Sequence, residues 1–77
     1  MAMIVSLDKM IGSKVRELRD KSSIVQSDAA LMCGLTLGEY QDGEIGTRRF
    51  SAQELFKLCS KCNASLSDIF DGLRHAV

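Results

Sequence analysis

The tripeptide Gly34-Leu35-Thr36 leaves the chain on either side of it few options. Before it, Gln26 to Cys33 places Ala29, Ala30 and Cys33 at helical spacing, which predicts a short helix with those three facing inward. Gly34 can then close that helix in the left-handed conformation that glycine adopts cheaply. Two residues later, Thr36 and Glu39 have the spacing of a capping box, in which each side chain satisfies an orphan amide at a helix start. The new helix runs to Gly46. The sequence therefore predicts two short helices meeting at a three-residue turn. Ala30 is small enough for them to cross closely, and Leu35 is placed to plug the turn. At the start of the first, Ser23 and Gln26 also have capping-box spacing, with Val25 the other candidate boundary.

The flanks follow the same grammar. Ser6 can cap a helix from about Leu7 to Ser22 with Met10, Ile11, Val15 and Leu18 as its apolar stripe. Gly12 weakens that helix by up to about 1 kcal/mol relative to alanine, and such a glycine permits close helix contact. Ser51 with Glu54 opens a helix to about Cys62, with Leu55, Leu58, Cys59 and Cys62 on its core side. Ser65 with Asp68 opens a fifth, carrying Leu66, Ile69, Phe70 and Leu73. No run alternates as a strand does, and there is no proline. The expectation is an all-α, compact five-helix bundle: one domain over residues 1–77, its core about 7–73, with short tails. The 45% of hydrophobic residues can supply a core. A chain this short buries only about 60% of its unfolded surface, so self-association would help it.

Ten basic and ten acidic side chains give a formal net charge of zero, which excludes a nonspecific polyelectrolyte binder. The distribution is uneven. From Lys9 to Lys21 there are five cations, Lys9, Lys14, Arg16, Arg19 and Lys21, against Glu17 and Asp20. Ser22 to Gly46 has no cation and carries Asp28, Glu39, Asp42 and Glu44. Arg48, Arg49, Lys57 and Lys61 then face Glu54 alone. Three cysteines, no secretory signal and no run of roughly 20 apolar residues predict a cytoplasmic protein with reduced thiols and no membrane contact. Cys59-Ser60-Lys61-Cys62 is a CxxC on an apolar helix face, read first as core packing. A redox pair lacks the usual strand-then-helix context, and zinc would need Cys33 and His75 to complete four ligands. With one histidine, no suitable serine partner and no glycine-rich phosphate loop, no enzyme, cofactor, metal or small-molecule substrate is expected.

Two short helices about a glycine-led turn are the recipe of a helix-turn-helix, whose second helix projects into a DNA major groove. From Ile11 to Phe70 the chain resembles the phage-repressor and Cro family of the xenobiotic-response-element type. The resemblance rests on Ile11-Gly12, Arg16-x-x-Arg19, Gln26, Ala30, Gly34-Leu35-Thr36, Glu44-x-Gly46, and Ser65-Leu66 before Ile69-Phe70. It implies a lambda-repressor-like DNA-binding domain in which Arg19 pairs with Glu44 and ties the first helix to the end of the third. It also implies phosphate contacts from Gln26, Thr36, Arg48 and Arg49, and base reading by Leu37, Gly38, Gln41 and Asp42. Homodimerisation through the C-terminal helix would set half-site spacing; Phe56, Ile69, Leu73 and Val77 are candidates for that surface.

Departures from the family pattern are concentrated on the reading helix. Relatives favour Arg, Lys, Gln, Asn, Ser and Thr there, whereas this chain offers Leu37, Gly38, Glu39 and Asp42 beside Gln41. Gln can pair with adenine and Leu can touch a thymine methyl. Gly43 replaces a large apolar residue, leaving a gap for Tyr40 or Met32. The leading expectation is a sequence-specific DNA-binding transcriptional regulator, a dimeric repressor. The alternative is a degenerate helix-turn-helix acting as a protein-protein interaction module without DNA binding.

Overall fold

The computed structural model describes the backbone of residues 6–74 and the side chains of residues 6–70. Every regular element among the described residues is helical: α1 Leu7–Lys21, α2 Gln26–Cys33, α3 Leu37–Ile45, α4 Ala52–Lys61 and α5 Leu66–Arg74. The fold is an all-α, five-helix assembly built on a helix-turn-helix.

Local chemistry sets most of the helix starts. Ser6 Oγ accepts from the Lys9 N–H at 3.1 Å. Thr36 Oγ1 accepts from the Glu39 N–H at 3.2 Å, while Glu39 accepts from the Thr36 N–H at 2.9 Å. Ser51 and Glu54 repeat that reciprocal box at 3.1 and 2.8 Å. Asp68 accepts from the Ser65 N–H at 2.9 Å. The exception is α2, whose boundary residue is Val25 with no side-chain cap. Ser23 has a left-handed φ of 57° and donates its N–H to Asp20, so it belongs to the exit of α1 rather than the entry of α2. Gly34 and Gly46 close α2 and α3 at φ of 77° and 89°.

The core consists of Ile11, Val15, Ala29, Ala30, Cys33, Tyr40, Phe50, Leu55, Leu58, Cys59 and Ile69. Leu18, Leu35, Cys62 and Leu66 pack against it from partly buried positions. Helix α3 lies against α1 and α2, with α4 behind α2 and α5 behind α1. One glycine makes the close α1–α3 approach possible. A Cβ on Gly12 would collide with the carbonyl oxygens of Gly43 and Glu44 and stand 2.8 Å from the Glu44 carbonyl carbon. Backbone therefore meets backbone there.

The space beside Gly43 is filled by neither Tyr40 nor Met32. Phe50 occupies it: a Cβ on Gly43 would stand 2.6 Å from Phe50 Cε2. The Phe50 ring also meets the Tyr40 ring edge-on, with centroids 5.7 Å apart. A residue from the loop after α3 thus folds back to supply the apolar bulk that the helix itself lacks.

Candidate nucleic-acid interface

A chain of side-chain hydrogen bonds runs from α1 to the outer surface of α3. Arg19 Nε donates to Glu44 Oε2 at 2.6 Å, its Nη2 to Oε1 at 3.3 Å, and its Nη1 to the Ile24 carbonyl at 2.9 Å. Gln26 Nε2 donates to Glu44 Oε1 at 3.0 Å, and Gln41 Nε2 donates to Gln26 Oε1 at 3.1 Å. The Arg19 and Glu44 side chains retain 13% and 4% exposure, so this ion pair is nearly out of water.

The electrostatics follow from the geometry. Burial works to raise the Glu44 pKa, but hydrogen bonds from Arg19 and Gln26, the nearby Tyr40 hydroxyl and the Arg19 charge hold it below the ordinary carboxylate value. The bond to Glu44 raises Arg19 in turn. Tyr40 is wholly buried, and its hydroxyl faces Glu44 without a well-aligned hydrogen bond. Burial first, and the adjacent carboxylate second, push the phenol upward, so it stays neutral.

Beyond Gln41 the α3 surface is open. Leu37, Gly38, Gln41 and Asp42 are all exposed. Gly38, Gln41 and Asp42 share one face, since positions three and four apart are neighbours on a helix. Leu37 keeps 44% exposure and Leu31 on α2 keeps 77%. Thr36 sits at the start of α3, its hydroxyl oxygen engaged by Glu39.

The loop after α3 places Arg48 and Arg49 next to carboxylates. Arg48 Nη1 and Nη2 donate to Glu54 Oε1 and Oε2, each at 3.0 Å. Arg49 Nε donates to Asp8 Oδ1 at 2.7 Å. Hydrogen bonding from Arg48 is the main reason Glu54 lies below its ordinary pKa. On α1, Lys14 pairs with Glu17 and Arg16 with Asp20. Much of the chain's positive charge is therefore already answered internally. The Ser51–Glu54 spacing announces the cap, but no local spacing announces either the Arg48–Glu54 or the Arg49–Asp8 contact.

The thiols lie inside the bundle rather than at a surface centre. Cys33 and Cys59 are buried and Cys62 partly so, all three unbridged. Burial pushes Cys33 up to about 11 and Cys59 upward, which disfavours the thiolate that redox or metal chemistry requires. Among the described residues no group of three or more His, Cys, Asp or Glu side chains could hold a metal ion. His75 lies outside the described residues. None of the described helices is long and apolar enough to cross a membrane.

Ala52, Gln53, Phe56, Lys57 and Leu66 line a shallow groove on α4 and the start of α5. Phe56 is 61% exposed, and Phe70 on α5 is 38% exposed. Ile69 is not part of that surface: at 1% exposure it points into the core. Val77 and the side chain of Leu73 lie outside the described residues.

No family model matches the chain, and no curated protein matches its sequence. Solved structures do match its shape. A crystal structure of the clp gene regulator ClgR from Corynebacterium glutamicum superposes with a TM-score of 0.84 at 19% identity, covering 96% of each chain. A second ClgR structure gives 0.85 at 19% identity over 94% of this chain and 77% of that one. The restriction-modification controller protein C.AhdI from Aeromonas hydrophila gives 0.74 at 25% identity, covering 82% of this chain and 96% of that one.

Proposed function

We propose that this chain is a single-domain, sequence-specific DNA-binding transcriptional regulator, acting as a dimeric repressor in the cytoplasm and catalysing no reaction. The carrying observation is the contrast between the two sides of α3. Its inner edge is locked by the Arg19–Glu44 pair and by glycine contacts, while Leu37, Gly38 and Asp42 stand exposed on the outside beside Gln41, whose amide is held by Gln26. A rigid helix with an exposed outer face suits docking in a major groove. The roles of the structural neighbours, a gene regulator and a controller protein, favour the same reading.

In this mechanism Gln26, Thr36, Arg48 and Arg49 hold phosphates and fix the register, and the α3 face meets base edges. Phe56 and Phe70 supply the apolar surface that pairs two subunits. The test is selection of duplexes from a random pool, followed by fluorescence-polarisation titration at low salt. Enrichment of one motif is expected; no enrichment together with no binding would sink the proposal.

A second reading has its own observation. The α2–α3 surface presents Asp28, Glu39 and Asp42 with no cation between Ser22 and Gly46, and Arg48 and Arg49 are already bound to carboxylates. That arrangement suits a protein-protein interaction module without DNA binding. A basic protein partner captured in place of any duplex would favour it.

A further inference from the structure

Of the glycines whose surroundings are described, all but one have a reason within the chain. Gly34 and Gly46 stand at positive φ, where a side chain would be strained. Side chains on Gly12 and Gly43 would collide with carbonyl groups and with the Phe50 ring. Gly38 has neither reason. It lies within α3 without positive φ, and a Cβ built on it meets nothing within 4 Å. Glycine at such a position weakens a helix relative to alanine. Nothing within the described chain accounts for the missing side chain at Gly38.

We propose that Gly38 is a notch that admits the 5-methyl group of a thymine to van der Waals contact with the α3 backbone. This inference rests on the DNA-binding reading and sharpens it from a list of reading positions to one chemical group. The bare flank of a glycine in a helix is carbon and hydrogen. It has no side-chain donor or acceptor with which to tell one polar base edge from another, so it selects by shape and apolarity. The thymine methyl is the apolar group that base pairs present in the major groove. The neighbours suit it: Leu37 adds exposed apolar surface alongside. Gln41 and Asp42, one turn on, provide the polar flank that reads adjoining edges.

The test uses the full chain and the duplex enriched from a random pool. Thymines are replaced one at a time by uracil, which removes only the methyl group. One position should lose about fourfold in affinity, the factor that burial of one such carbon corresponds to. Gly38→Ala should leave the thermal midpoint unchanged or raised, bind the same duplex at least tenfold more weakly, and respond to that uracil no longer. Gly38→Ala that binds like wild type, or a wild type indifferent to every uracil, overturns the inference while leaving the regulator reading standing. A wild type that enriches no duplex overturns both.

Discussion

Arg48 grips Glu54 through both carboxylate oxygens, each at 3.0 Å, on the loop proposed to touch phosphate. A phosphate that recruits Arg48 must displace that carboxylate. Glu54→Gln should therefore strengthen duplex binding several-fold and steepen its salt dependence by about one phosphate contact's worth. The glutamine can still accept from the Ser51 N–H, so the cap survives. The pair is partly solvent-screened, and the stability change should stay within about 1 kcal/mol. Fluorescence polarisation over a salt series reads the first effect, and thermal melting the second.

Removing one member of the Arg19–Glu44 pair should be far more damaging. Glu44→Ala leaves a guanidinium in a nearly dry site and orphans the Gln26 amide. The expected loss is about 3–5 kcal/mol. For a domain of this size that is a fall of more than about 10 °C in melting temperature, readable by circular dichroism.

Acid should unfold the protein through the same carboxylates. Glu44 and Glu54 both lie below their ordinary value of 4.5 in the folded state, so the unfolded chain binds protons more readily. Their stabilisation is fully present above that value and is lost as pH falls through the lower folded pKa values. Urea midpoints measured from pH 7 downward should hold level, then fall below about pH 4.5. Glu54→Gln should flatten part of that fall.

Gly43→Ala should destabilise by about 1–3 kcal/mol, because the added methyl meets the Phe50 ring in a filled core. Phe50→Leu should recover part of the loss in the double variant. The non-additivity of the two changes, measured in a double-mutant cycle by urea unfolding, reports the contact directly.

Phe56→Asp should convert a dimer to a monomer. The side chain is mostly exposed, so the fold should tolerate the change while an apolar pairing surface would not. Sedimentation equilibrium across a concentration series distinguishes a dimer in wild type from a monomer in the variant; a monomeric wild type would remove the dimeric part of the proposal.

Legibility in the sequence tracked the range of each interaction. Caps at Ser6, Thr36 and Ser51 act across three residues, so spacing alone located those helix starts. The uncapped start of α2 was ambiguous for the same reason: Ser23 had the spacing but belonged to the preceding helix. Ile69 was misplaced because the apolar arc of α5 is wide, and periodicity does not say which edge of it is buried. The Phe50–Gly43 contact crosses a loop whose path no local pattern gives. Asp8 and Arg49 are 41 residues apart, and only the folded chain makes them partners. The candidate interface was thus legible in its scaffold and obscure in its charge.

That charge has a consequence for how a regulator of this kind would search a genome. Cations free to engage any phosphate hold a protein on irrelevant sequence, and competing sites outnumber a true operator by about a millionfold or more. Here Arg48 and Arg49 are occupied by Glu54 and Asp8 until something better arrives. A regulator so built would spend less of its population on decoys and need fewer copies per cell to fill its target.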